Sequence, residues 1–386
     1  MKRLIPLLFL AGGLAAVVAG CNKDGGKSAS TSAKEIVIGH FASMTGDTAT
    51  FGTSADEGIR LALDEINAKG GTLGKQVKVI TEDDRSQADE AKTAASKLIN
   101  QDHVIALLGE ISSSKSIAAA PVAQEAKIPM VSPGSTNPKV TEMGDYVFRV
   151  CFIDPFQGTA MANFAMNDLK AKRLAVLYPV NSDYGVGLRD FFTAAVKKGG
   201  AQIVADVSYT EKSDTDFKSQ LTKIKNANPD AVYVPGYYTE AGLIARQARE
   251  LGLTCPLLGG DGWDSDQTVK IGGKSAEGCY FSNHYSPDEQ RAEVQEFVKN
   301  YKAKYGGKVP DAMAILGYDA LKVLCDAIGR AGSTDGQKIR DALAATKDYP
   351  GACGPITIDE NRNAKKNIVI LKIQNGKFTY VTTVKP

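Results

Sequence analysis

The chain is poor in the residues that enzymes and metal proteins depend on. Its 386 residues include three histidines and one tryptophan, and the histidines, His40, His103 and His284, stand far apart in sequence. Neither a G-x-S-x-G nor an H-E-x-x-H run occurs, so the sequence predicts no hydrolase centre, no metal site and no cofactor. A surplus of one charge is missing as well. With 46 Lys and Arg against 44 Asp and Glu, there is no basic excess to hold nucleic acid. No segment of 20 to 50 residues recurs, which excludes a solenoid.

What is present begins with an export signal. MKRLIPLLFLAGGLAAVVAGC places two cations before an apolar run and ends it in small residues, which predicts a cleaved signal peptide over residues 1–20. Its loss removes Lys2 and Arg3 and leaves a neutral mature chain. Val18-Ala19-Gly20-Cys21 resembles a bacterial lipobox, which implies acylation of Cys21 and tethering to a membrane surface, since two or more acyl chains anchor stably. Residues 21–34, running on through NKDGGKSASTSA, read as a flexible polar stalk. Five cysteines remain, an odd number, in a compartment that permits disulfides. Cys255 with Cys279 is the first pairing to consider, and five free, buried thiols are the equal alternative.

From residue 35 the pattern alternates between short apolar strands and amphipathic helices. EIVIGH, QVKVITED, VIALLG and IPMVSP read as strands, with helices over 55–69, 86–101 and 113–127 between them. After YVFRVCFIDPFQG the beat restarts with RLAVLYP, QIVADVSY, AVYVPG and PLLGG as strands, and helices over 185–198, 216–227 and 240–251. A helical stretch over 287–345 and the strands GPITID, KNIVILKI and KFTYVTTV complete the chain. This predicts an α/β fold of two doubly wound, Rossmann-like lobes, whose ligands bind where the carboxyl ends of the strands face a shared cleft.

The loops at those ends are rich in small and hydroxylated residues. GEISSSKS (109–116) matches the phosphate-loop pattern G-x-x-x-x-G-K-[ST] except that Ser114 replaces its second glycine. A helix start near Ser113 offers amides to a small anion, and a carboxylate suits it as well as a phosphate. SPGSTNP adds Gly134, Ser135 and Thr136. Lys115 reads as an exposed residue of the helix. From the second half come Tyr184 in NSDYGVG, Tyr237 in PGYYTE, and Asp261 and Trp263 in GGDGWDS: aromatic faces, hydroxyls and one acid, together suited to a zwitterion.

In their order and spacing, GEISSSKS, IPMVSPGSTNP, NSDYGVG, PDAVYVPGYYTEAGLIARQARELG and GGDGWD resemble the type I periplasmic binding proteins, in particular the leucine/isoleucine/valine-binding family of ABC transporters, from residue 35 to the C-terminus. The resemblance implies two lobes, 35–153 with 285–360 and 154–284 with 361–386, joined by a three-crossover hinge. It assigns Ser113, Gly134 and Thr136 to the ligand carboxylate, Asp261 to its ammonium, and Phe51, Tyr184 and Tyr237 to the remaining walls. Trp263 has no counterpart in that pattern and is placed in the pocket by its loop alone, while Asp154 and Phe156 at the first crossover reach the cleft or pack the hinge. The implied function is capture of an amino acid, branched-chain or otherwise apolar, by a monomer in the periplasm or at the cell surface. Delivery to the permease of an ABC importer would follow, without chemistry. A small amide, an aromatic acid or a sensory ligand is the alternative cargo.

Overall fold

The computed structural model describes residues 35–386, so the predicted signal peptide, Cys21 and the stalk lie outside the described residues. Strands β1 (Glu35–Ala42), β2 (Gln76–Asp83), β3 (Leu107–Leu108), β4 (Met130–Ser132) and β5 (Val147–Arg149) form one sheet in the order β2-β1-β3-β4-β5. All its pairings are parallel. The order reverses direction beside β1, which is where an open α/β sheet leaves a crevice for ligands.

A second sheet contains β6 (Arg173–Pro179), β7 (Gln202–Tyr209), β8 (Ala231–Val234), β9 (Leu257–Gly259) and β10 (Tyr280–Asn283). A short hairpin, β11 (Tyr349–Gly351) with β12 (Gly354–Ile356), stands apart. The last two strands, β13 (Ile368–Gln374) and β14 (Lys377–Val384), join the second sheet to give β14-β13-β10-β9-β8-β6-β7. β13 runs antiparallel to β10, and β14 antiparallel to β13. The central strands β8 and β9 are buried throughout, as parallel strands covered on both faces must be.

The segment between β10 and β13 returns to the first sheet's side. Its long helix Ala312–Ala331 packs on helix Ala49–Ala68. Small residues allow the close approach: a Cβ on Gly58 would fall 1.8 Å from the Ala314 carbonyl oxygen, and one on Gly317 would fall 2.4 Å from that of Ala55. Helix Ala49–Ala68 also starts earlier than the expected residue 55. Gly52 sits in its first turn, where a side chain would overlap the Ser43 backbone. The earlier start carries Phe51 onto the first turn of the helix.

The five described cysteines are free thiols. The Cys255–Cys279 pairing is not formed; Arg249 stands beside both residues, its Nη1 donating to the Cys255 carbonyl at 2.9 Å and its Nη2 lying 4.0 Å from Cys279 Sγ. No helix among the described residues is long and apolar enough to cross a membrane.

Candidate ligand-binding site

Between the two sheets lies a small cavity walled by Phe51, Ile111, Gly134, Thr136, Tyr184, Tyr237, Asp261, Gly262 and Met313. Six of the nine binding residues expected from sequence therefore meet at one place. The lining is sealed from solvent: Phe51 is 1% exposed, Thr136 1%, Asp261 3%, and Tyr237 is the highest of the expected six at 8%.

On the first sheet's side the groups are hydroxyls and amides. Helix Ser113–Ala126 begins directly after β3, with Ser112 in extended backbone before it and no side-chain cap on its first amides. Amides at such an end carry partial positive charge and attract anions. Ser113 Oγ accepts from the Asn137 amide at 3.2 Å. The hydroxyl oxygens of Ser112 and Thr136 are buried without a well-formed hydrogen bond, their polar neighbours being the Tyr237 phenol and the Asp154 carboxyl. A buried hydroxyl without a partner costs about 1–3 kcal/mol, so both invite a polar ligand.

On the second sheet's side the acid is fully dressed. Asp261 follows β9, and its Oδ1 accepts from the Tyr184 hydroxyl at 2.8 Å while its Oδ2 lies 3.0 Å from His284 Nε2. The Tyr184 oxygen accepts in turn from the Gly262 amide at 3.0 Å. Gln157 Oε1 accepts from the Asp261 amide at 2.9 Å and from the Ser282 hydroxyl at 2.8 Å. Burial, then the Asp261 charge, hold the Tyr184 phenol well above its usual range, so it stays a donor. Burial lowers His284 against the opposing pull of Asp261. A neutral His284 donates to Asp261 through Nε2 and leaves Nδ1 without a partner.

Between these polar ends stands an aromatic and aliphatic wall. Tyr184 stacks on Tyr237 with ring centroids 5.2 Å apart, and Phe51 meets Tyr237 edge-on at 5.7 Å. Ile111 and Met313 complete it. The arrangement offers an anion site, a carboxylate and an apolar box in one sealed space, and no nucleophile paired with a base.

Three expected residues lie elsewhere. Trp263 is not in the wall: its ring packs in the core of the second sheet, where a Cβ on Gly259 would come within 2.3 Å of it, and its Nε1 donates to the Val234 carbonyl at 3.0 Å. Ser135 binds inward, donating to the carbonyls of Glu110 at 2.8 Å and Ile111 at 3.0 Å. Ser113 stands behind the lining as the acceptor for Asn137. Asp154 is fully buried under the cavity, with Gln157 Nε2 at 3.3 Å from its Oδ1, and burial followed by Asp261 raises its carboxyl well above the usual range. Phe156 is half-buried and packs against the core.

Lys115 is not an exposed residue of its helix. It is 5% exposed, and its Nζ donates to Ser43 Oγ and Thr48 Oγ1 at 2.8 Å each, 3.7 Å from Glu110 Oε1. The loop buries Glu110 beside Asp84, and two such carboxyls need a cation. Burial and the Glu110 charge push Asp84 up to about 8 even so. The lysine of the phosphate-loop look-alike therefore serves two buried acids, Glu110 of its own loop and Asp84 after β2.

The two sides are latched together around the cavity. Ser114 Oγ donates to Asp183 Oδ2 at 3.0 Å, and Asn137 Nδ2 donates to the Asp183 carbonyl at 2.7 Å. Ser265 Oγ donates to Thr50 Oγ1 at 3.1 Å. Asp264 Oδ2 accepts the Ala312 amide at 2.6 Å, beside Asp311, which caps the same helix. Burial, and for Asp264 the neighbouring Asp311 charge, push these carboxyls up to about 7 and about 6.

The family model described as "Periplasmic binding protein" matches residues 35–377. The chain belongs to the periplasmic binding protein family. This binding protein is 32% identical over 356 residues to Leu/Ile/Val-binding protein homolog 3 of Brucella melitensis, covering 91% of this chain and 94% of that one. Its fold matches the leucine-binding protein LivK of Thermotoga maritima with a TM-score of 0.88 at 44% identity, over 91% of this chain and 99% of that one. It also matches LivJ of Streptococcus pneumoniae, a branched-chain amino acid transporter substrate-binding protein in complex with isoleucine, with a TM-score of 0.87 at 36% identity, over 92% of this chain and the whole of the other.

Ile111, Gly262 and Met313 of the lining, with Ser112 and His284 beside it, are the site residues that sequence reasoning missed. Ser112 is adjacent to the expected Ser113, and its place before the helix was the available signal. Met313 arrives from a helix far along the chain, and no local pattern marks it.

Proposed function

We propose that this protein is an extracytoplasmic solute-binding protein that captures a branched-chain or other apolar amino acid and delivers it to an ABC importer. The observation that carries the reading is the cavity itself: unsatisfied hydroxyls and a helix N-terminus on one side, the Asp261 carboxylate on the other, and a purely aromatic and aliphatic wall between them. The ligand carboxylate takes the hydroxyls of Thr136 and Ser112 and the amides beyond Ser112. Its ammonium pairs with Asp261, and its side chain packs on Phe51, Tyr184, Tyr237, Ile111 and Met313.

The lobes are 35–153 with 285–360 and 154–284 with 361–386, and the ligand bridges them, favouring the latched form that a permease would read. Cys21 is the lipidated first residue of the mature protein, which acts as a monomer at the membrane surface. The apolar wall favours leucine, isoleucine or valine over a small amide, which would leave Asp261 without a cation.

A calorimetric and thermal-shift screen against the twenty amino acids, small amides and aromatic acids, with ATP as control, tests the cargo. An aliphatic amino acid at 100 times its Kd should stabilise by about 2.7 kcal/mol. A response confined to an aromatic acid or an amide would overturn the assignment. Mass spectrometry of the membrane-associated form tests Cys21, which should carry at least two acyl chains.

A further inference from the structure

His284 ties the acid of the ligand site to the two places where the chain passes between the sheets. It follows β10, where the chain leaves the second sheet, and its ring lies nearly flat on that of Phe152, which follows β5, where the chain leaves the first. The ring centroids are 3.8 Å apart and the planes 17° from parallel. The main chain is held as well: the His284 amide donates to Asn283 Oδ1 at 2.8 Å, and its carbonyl accepts from Cys353 Sγ at 3.4 Å. Ring plane and backbone are thus both set, and Nε2 meets Asp261 Oδ2 at 3.0 Å.

A carboxylate has about four lone-pair directions. Asp261 spends one on the Tyr184 hydroxyl and one on His284, and it stands in the cavity wall with the others. This serves a cationic ligand group only while His284 is neutral. A neutral imidazole lends Asp261 a hydrogen bond and leaves its charge for an ammonium, whereas an imidazolium would answer that charge itself.

The groups facing His284 decide which form is present. Burial, at 4% exposure, is the largest influence and disfavours the cation; Asp261 pulls the other way, and the charge of Lys366, itself paired with Asp319 at 3.8 Å, adds to burial. The thiols on the elements packed against it, Cys151 next to Phe152 and Cys353, are kept protonated by burial and contribute no charge. His284 therefore lies below its ordinary value and is neutral at neutral pH.

We propose that His284 is a positioning residue for the ligand ammonium: neutral, it presents Asp261 to the ligand, and protonated, it occupies Asp261 in the ligand's place, so that acid releases the cargo. This rests on the reading that Asp261 receives the ammonium of an amino acid. Proton and ligand then compete through one carboxylate, and the competition is reciprocal: acid weakens binding, and the ligand makes His284 harder to protonate.

The test measures leucine affinity by calorimetry between pH 7.5 and 4.5 on the purified protein and its variants. Affinity of the parent should fall at least about tenfold over that range. His284→Gln keeps a donor that takes no proton, so it should bind about threefold more weakly than the parent at pH 7.5 and lose most of the acid dependence. His284→Leu, without a donor, should bind about tenfold more weakly already at pH 7.5. His103→Gln, at an exposed site, should match the parent throughout. A second measurement does not depend on the site variants folding: ¹⁵N NMR of the histidine-labelled parent, with His40→Gln and His103→Gln identifying the other two rings. His284 should carry its proton on Nε2 and titrate below His103, and saturating leucine should lower its midpoint further. An acid dependence equal in the parent and His284→Gln, or a His284 midpoint that leucine raises or leaves in place, would overturn the proposal and leave the cargo reading standing. Failure of every amino acid to bind at pH 7.5 would overturn the cargo reading and this proposal with it.

Discussion

The two walls of the ligand cavity solve recognition differently. On the first sheet's side the hydroxyls of Ser112 and Thr136 are buried and unsatisfied, whereas on the second sheet's side Asp261 has a donor on each oxygen and Gln157 beneath its amide. The first wall is incomplete until something binds, and the second is complete already. Changes to the first wall should therefore alter affinity and leave folding almost untouched, while changes to the second should alter both.

The largest effect is expected from Asp261→Ala. It removes the only acid of the lining and strands Tyr184 and His284, and amino-acid affinity measured by calorimetry should fall at least ~100-fold, about 3 kcal/mol. Melting temperature should drop as well. Affinity close to that of the parent would show that the ammonium is held elsewhere.

The latch beside the cavity gives the next effect, through pH. Asp264 and Asp311 have folded pKa values raised to about 7 and about 6 by burial. The folded form then holds protons that the unfolded chain has already released above about pH 4, so stability from this pair is greatest in acid and is lost as pH rises through 6 to 7. Asp264→Asn should flatten that part of the pH–stability curve, by roughly 2 kcal/mol between pH 5 and 8. An unchanged curve would mean that the pair does not control it.

Tyr184→Phe should cost roughly 1–2 kcal/mol in both stability and affinity, since Asp261 Oδ1 loses its donor. Thr136→Val is the sharpest contrast and the smallest effect on the fold. Its hydroxyl has only a poorly formed contact with the Asp154 carboxyl to lose, so Tm should change little, while affinity falls by about 1–1.5 kcal/mol, close to tenfold. A Thr136→Val protein destabilised as much as Tyr184→Phe would erase the distinction between the walls.

Much of this was legible in the sequence, for a physical reason. RLAVLYP is a nearly continuous apolar run because β6 is covered on both faces. The part-exposed edge strands at QVKVITED, QIVADVSY and KFTYVTTV stand out by their β-branched residues, and all four bounds coincide with β2, β6, β7 and β14. Loops at their carboxyl ends then placed Thr136, Tyr184, Tyr237 and Asp261 at one cavity. What the sequence could not reveal was orientation within a turn. Asp261 and Trp263 share one turn of 3₁₀ helix, yet one side chain faces the cavity and the other the core, because Gly259 provides a seat for the indole. Lys115 lies on a helix that looks solvent-facing by composition, and only the buried pair Asp84 and Glu110 explains its direction. His284 carries no motif at all. It acquires a role because the chain leaves the second sheet beside Asp261.

The sealing of the cavity has a consequence for time as well as strength. With every expected side chain of the lining at most 8% exposed, a captured molecule cannot leave until the bonds from Ser114 and Asn137 to Asp183, from Ser265 to Thr50 and from Asp264 to Ala312 have parted. Residence is then set by how often those contacts break, and two cargoes of different affinity can share the same ceiling on their escape rate.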